Sequence, residues 1–155
     1  MQIAIDNRSD YQLPLDTLEA LALFTLELEN APDNLELSLS FVSNTEIQQL
    51  NRDFRGNDAP TDVLSFECDD LADAVLDATE VDLLLLGDII IAPAVAEQHA
   101  VDFDSTFEQE LYLILVHGIL HLLGYDHLED DEATEMESRE DELLELWARH
   151  QSCEG

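Results

Sequence analysis

Three of the five histidines fall in one short segment, His117-Gly118-Ile119-Leu120-His121-Leu122-Leu123-Gly124-Tyr125-Asp126-His127. His117 and His121 are four residues apart, so on a helix they lie on one face, one turn from each other. Gly124 is the residue type best suited to end that helix in a left-handed conformation. The chain can then double back and bring His127 toward the same point. Three neutral imidazoles leave the fourth position of a tetrahedral ion open, the arrangement of catalytic rather than structural zinc. The segment therefore predicts a hydrolytic metal centre built from His117, His121 and His127, with one Zn2+ ion the first choice although imidazole also suits nickel, copper and iron. The alternative is a core helix whose imidazoles only hydrogen-bond to backbone. That is the reading given to the isolated His99 and His150, but three histidines at this spacing favour a metal.

The spacing overlays the metzincin protease pattern H-E-x-x-H-x-x-G-x-x-H with one difference. Gly118 stands where those enzymes carry the glutamate that serves as general base. The metal site survives this comparison and the peptidase reading is weakened.

A chain of 155 residues, 46% of them hydrophobic, forms one domain with a sizeable core, expected over 1–155. No basic segment followed by an apolar run opens it, so no secretory signal is expected. The most apolar stretch, Leu111 to Leu123, is too short to span a bilayer. A cytoplasmic protein with no membrane partner is the expectation. Cys68 and Cys153 then read as reduced thiols. The charge is extreme, with 37 acidic residues against 5 arginines, no lysine, and a formal net charge of -32. Self-repulsion of that size destabilises a compact state in dilute salt. The acids are spread along the chain, so a disordered acidic tail does not account for them. Adaptation to a high-salt cytoplasm does, because the Debye length shrinks to about 3 Å at molar ionic strength.

Alternating and helical patterns follow one another along the chain without repeats. Gln2 to Asp6 alternates like a strand, and Leu15 to Glu29 has helical periodicity after Pro14. Leu35, Leu37, Leu39 and Phe41 alternate with Glu36, Ser38 and Ser40, predicting a strand with one buried face. Asn44 is placed as the cap of a short helix running through Asn51 and Arg52. Asp62 to Phe66 is strand-like. Residues 69–82 read as an exposed acidic loop or hairpin tip. Leu83 to Ile91 reads as a buried strand that Pro93 ends or converts to a helix. Ser105 with Glu108 has the form of a capping box. It opens a helix, apolar almost all round from Leu111 to Val116, that carries the metal-binding histidines. A last helix covers about Asp131 to Arg149, its many acids taken as a solvated face. The elements sum to an α+β fold, with a mainly antiparallel or mixed sheet packed by helices.

Residues 50 to 66 read Leu-Asn-Arg-Asp-Phe-Arg-Gly-Asn-Asp-Ala-Pro-Thr-Asp-Val-Leu-Ser-Phe. Together with Leu86-Gly87-Asp88-Ile89 and the histidine segment, they closely resemble the YbeY family of ribosomal-RNA maturation endoribonucleases, in the family's order and over about residue 35 to Trp147. The resemblance implies a compact α+β fold with zinc at the floor of a cleft. It implies His117, His121 and His127 as zinc ligands, and Arg55 as the arginine needed for activity. The implied function is zinc-dependent cleavage of single-stranded RNA phosphodiesters in ribosomal-RNA processing and ribosome biogenesis. The implied partners are a ribosomal-RNA precursor and a ribosomal subunit or ribosomal protein. The chain departs from the family at Asn57 and Ala59, near which members often carry lysine or arginine, and at Glu67, where a proline is common.

The residues themselves support that chemistry. A bound metal polarises a phosphoryl oxygen and lowers the pKa of coordinated water. A guanidinium is a fitting bidentate partner for charge gathering at phosphorus. Arg55 could instead be a surface ion pair. Asp126 is a candidate to orient a ligand histidine. A zinc-stabilised, non-catalytic ribosome-associated module is the alternative function, with a metalloprotease behind it.

The charge yields a direct test. Melting temperature and RNA cleavage rate should both rise with potassium chloride from dilute buffer toward molar concentration, at constant zinc. A monotonic fall in both would refute the high-salt reading.

Overall fold

The computed structural model describes residues 1–31, 33–67, 84–124 and 130–154. The acidic stretch 69–82 lies outside the described residues, as do Cys68, Asp126 and His127. Alternation of leucine with polar residues sets the centre of the sheet. In β2 (Leu35–Phe41), Leu35, Leu37, Leu39 and Phe41 are buried while the residues between them are only partly covered. β1 (Gln2–Asn7) pairs with β2 in parallel, Ile3 opposite Leu37 and Ile5 opposite Leu39. Parallel neighbours need a crossover, and α1 (Leu15–Leu28) supplies it, beginning directly after Pro14.

After β2 comes α2 (Asn44–Arg55), then β3 (Val63–Glu67) and β4 (Leu84–Ile91). The order across the sheet is β1-β2-β4-β3, with β4 parallel to β2 and β3 antiparallel to β4. The sheet is therefore mixed, with β3 the antiparallel strand among those described. Pro93 does not merely end β4. It opens α3 (Pro93–Asp102) at the position where its missing N–H leaves no helical bond unmade.

α4 (Phe107–Leu122) is the central element, packed against α1, α3, β3, β4 and the final helix α5 (Asp130–Glu154). Leu111, Ile114, Leu115, Val116, Ile119, Leu120 and Leu122 are all buried. Each such side chain contributes about 1.5–3 kcal/mol over its exposed state, so this helix is anchored by packing on most of its circumference. Leu113, His117 and His121 form the stripe left partly exposed. The main core joins α1, β2, β4, α4 and α5, and a smaller cluster of Val42, Ile47, Leu64 and Ala92 lies under α2.

Two caps differ from the sequence expectation by one residue. Ser43, not Asn44, caps α2 by accepting from the Glu46 N–H at 3.2 Å. Thr106, not Ser105, caps α4 by accepting from the Gln109 N–H at 3.1 Å. In each case two adjacent cap-capable residues compete, and the one used is extended and stands immediately before the first helical residue. Gly124 has φ +107° just beyond α4, as the break in the pattern required. No helix among the described residues is long and apolar enough to cross a membrane.

Gly118 explains how closely α4 can lie on the sheet. A Cβ there would sit 3.2 Å from both Ile89 Cδ1 and Ile89 Cγ2, and 3.4 Å from Ser65 Oγ. The position faces β3 and β4 rather than solvent. A glutamate here, as in the protease pattern, would start against Ile89 and Ser65 and crowd the sheet. Gly118→Leu should destabilise the protein by about 3 kcal/mol, the upper range for overpacking a filled core, measured by denaturant titration. Unaltered stability would mean that the helix does not sit against the sheet this closely.

Candidate metal and phosphate site

Arg55 is the last residue of α2, and Gly56 follows it with φ +72°, turning the chain away from the helix. The loop that returns to β3 is held by Asn51, which is buried and donates from Nδ2 to the Ala59 carbonyl at 2.9 Å. Among the described strands β3 lies at the edge of the sheet, so its outward carbonyls have no described strand partner on that side. Arg55 Nη2 donates to one of them, that of Ser65, at 3.3 Å. The arginine thus starts on the α2 face and reaches the edge of the sheet, where it meets residues from the opposite face.

Period-two alternation in β3 makes this meeting possible. Leu64 and Phe66 belong to the cluster under α2, while Val63 and Ser65 face α4 and line a pocket of about 200 Å³ with Arg55, His117 and His121. The structure therefore brings together Arg55 and two of the three expected metal ligands. His127 lies outside the described residues, and so does Asp126. Arg8, Arg52, Arg139 and Arg149 each pair with a carboxylate. Arg55 has no carboxylate at ion-pairing distance among the described residues, so the alternative of a surface ion pair finds no support there.

A residue outside the expected set adds to the surroundings of His117. Glu140 of α5 is buried, and its carboxylate oxygen takes a very short hydrogen bond with His117 Nδ1. The many acids of α5 were expected to form a solvated face, and Glu140 departs from it. The Glu140 carboxylate holds the His117 imidazolium above its ordinary pKa. Burial opposes that rise, and the charge of Asp62 adds to it. With Nδ1 engaged by a carboxylate, Nε2 is the nitrogen suited to a metal, and the same anion favours either positive charge, proton or cation. Spacing offered one clue to Glu140. It lies four residues after Met136, three before Leu143 and seven before Trp147, all buried, and thus on the inward face of α5.

His99, set aside in the sequence as a structural histidine, also lies at this site. A second pocket, of about 470 Å³, adjoins the first and shares His117 and Val63 with it. Asp62, His99, Phe103, Glu110 and Glu140 are among its walls. His99 Nδ1 lies 4.0 Å from Asp62 Oδ2. His150, by contrast, lies against Phe24 and Trp147, away from either pocket.

Among the described residues, no group of three histidine, cysteine or carboxylate side chains is arranged to hold a metal ion. The described donors do fit an imidazole-bound divalent cation. Two histidines one turn apart on an anchored helix open into one pocket, and a buried carboxylate orients one of them.

Known proteins match this chain closely. The sequence model of the family described as Endoribonuclease YbeY matches residues 4–148. An Endoribonuclease YbeY of Geobacillus thermodenitrificans is 43% identical over 131 residues, covering 84% of each chain. One from Alkaliphilus metalliredigens is 42% identical over 148 residues, covering 93% of this chain and 94% of the relative. The solution structure of TM1509 from Thermotoga maritima superposes with a TM-score of 0.64 at 33% identity, over 97% of this chain and 92% of that one.

If Glu140 orients His117 toward a metal, Glu140→Gln should weaken zinc binding about 10- to 100-fold, the usual range for losing such a partner. Competition against a chromophoric chelator measures it. An unchanged zinc affinity would leave Glu140 as a buried structural acid.

Proposed function

The chain belongs to the endoribonuclease YbeY family, and on that premise we propose a zinc-dependent endoribonuclease that cuts single-stranded RNA during ribosomal-RNA maturation in the cytoplasm. The observation that carries this reading is a single pocket lined by His117, His121 and Arg55, which come from elements on opposite faces of the sheet. His117 and His121, with His127, would hold the ion, which when bound supplies Lewis acidity and an activated water. Arg55 approaches from across the pocket and offers its guanidinium to a phosphodiester oxygen. As charge accumulates at phosphorus, a fixed donor of this kind stabilises the transition state more than the ground state. Glu140 keeps the His117 ring in one orientation throughout. The acidic surface suits docking on a basic ribosomal protein, with the RNA presented by that assembly rather than captured by long-range attraction.

Two other functions fare worse on specific observations. A peptidase of the related metal pattern needs a glutamate at position 118, which is a glycine packed tightly against Ile89 and Ser65 of the sheet. Burial of α4 by apolar side chains along most of its length argues against a zinc needed only to hold the fold. Chelation should therefore leave the far-ultraviolet circular dichroism unchanged while ending cleavage. Unfolding on chelation would favour the non-catalytic module.

His117→Ala, His121→Ala and His127→Ala should each lower bound zinc and abolish RNA cleavage. Full zinc occupancy in the double variant of His117 and His121 would overturn the ligand assignment. Arg55→Ala should keep zinc content and melting temperature while reducing turnover about 100-fold or more, the effect of removing one strong transition-state donor. Arg55→Lys should recover only part of the loss, since an ammonium lacks the planar fork. Unimpaired turnover in Arg55→Ala would exclude its role at phosphorus.

A further inference from the structure

The larger of the two pockets meets the metal site through His117 and Glu140, but its remaining walls have no role in the chemistry just described, and its character is opposite to that of its neighbour. Asp62 and Glu110 stand on its walls, together with Glu140, and no arginine is among the described residues that line it. A phosphate is repelled from such a place. Leu113 and Ile114 supply apolar surface, and Phe103 stands at the site with 72% of its surface exposed. The His99 ring meets Phe103 edge-on, with centroids 5.9 Å apart. A volume of about 470 Å³ is within the range that accepts a small organic group.

We infer that this pocket, formed around Asp62, Glu110, His99 and Phe103, receives an RNA base next to the cleaved phosphate and favours bases that carry an amino group. The inference rests on the RNA-cleaving reading above and assigns it a specificity site. His117 and Val63 belong to both pockets, so a nucleotide whose phosphate faces Arg55 has its own or its neighbour's base beside the larger one. Unstacked RNA bases are held by stacking on aromatic side chains and by hydrogen bonds to their edges. Phe103 and His99 provide the aromatic surface. An ionised carboxylate only accepts hydrogen bonds. Cytosine and adenine present exocyclic N–H donors to it, at N4 and N6. Uracil presents a carbonyl oxygen where cytosine has its amino group, and that oxygen faces carboxylate oxygens unfavourably. Cytosine and uracil have rings of the same size, so this difference isolates the hydrogen-bond pattern from stacking.

Binding of end-labelled 2′-O-methyl hexanucleotides of cytidine, uridine and adenosine to the zinc-loaded protein, followed by fluorescence anisotropy in molar potassium chloride, tests the pocket separately from cleavage. The cytidine and adenosine oligomers should bind roughly ten-fold more tightly than the uridine oligomer, the effect of one discriminating base contact. Phe103→Ala should weaken the cytidine oligomer by roughly ten-fold with zinc content unchanged, the scale of one lost stacking contact. Asp62→Asn or Glu110→Gln should narrow the gap by strengthening uridine, because a carboxamide N–H can donate to the uracil carbonyl. A merely structural role for either carboxylate would not improve binding of one base. Equal affinity for cytidine and uridine, together with an unaffected Phe103→Ala variant, overturns the pocket, as does absence of binding to all three oligomers. Cleavage of unmodified RNA by the wild type is measured in parallel. Base-selective binding without cleavage would sink the activity and leave the pocket standing, and cleavage without base selectivity would do the reverse.

Discussion

Everything at this site depends on how closely one helix lies on the sheet. Gly118 removes the side chain that would hold α4 away from Ile89 and Ser65. With that spacing, Leu111, Ile114, Leu115 and Ile119 seat in the core, and the stripe carrying His117 and His121 comes up beside β3. Glycine within a helix costs about 1 kcal/mol relative to alanine, so the position is tolerated for packing rather than for helix stability. The same glycine separates this motif from the protease pattern. A residue that faces the sheet cannot serve as a base in the pocket, whatever its chemistry.

Charge is the second organising influence. In a protein with 37 acidic residues and 5 arginines, almost any exposed cation has carboxylates near it, and four of the arginines are paired. Arg55 reaches a neutral carbonyl at the sheet edge instead, so its charge is not offset by a described acid. The two adjoining pockets are thereby distinguished by sign, with a guanidinium in one and carboxylates in the other. A polyanion with neutral bases is the kind of ligand that matches both at once. Long-range attraction plays little part, because the net charge opposes it. Recognition must rest on short-range contacts that salt screens weakly.

Much of the fold could be read from residue order because its causes are local. Alternation in β2 and the helical spacing of α1 and α4 are one-dimensional patterns, and Pro93 and Gly124 mark breaks with known backbone preferences. The helical histidine pair is equally local, since an i, i+4 spacing on a helix places two side chains on one face whatever surrounds it. The caps fell one residue from expectation because neighbouring polar residues are interchangeable until the backbone selects one.

Pairings distant in sequence were decided only by tertiary structure. Glu140 is one acid among many in α5, and its contact with His117 lies 23 residues away along the chain. No local pattern separates that carboxylate from its solvated neighbours except its place on the inward face. His99 looked structural because a single histidine carries no spacing, yet α3 and the residue preceding β3 bring it near Asp62 on the wall of a pocket. Arg55 belonged to a recognisable segment, but its approach around the edge of β3 follows from the strand order β1-β2-β4-β3. The direction of strand pairing was likewise open, because parallel and antiparallel neighbours bury the same alternating face. Residue types and local spacing determined which groups were available for chemistry. The packing of α4 and α2 on opposite faces of one edge strand decided which of them meet, because such contacts arise only when distant segments share a core.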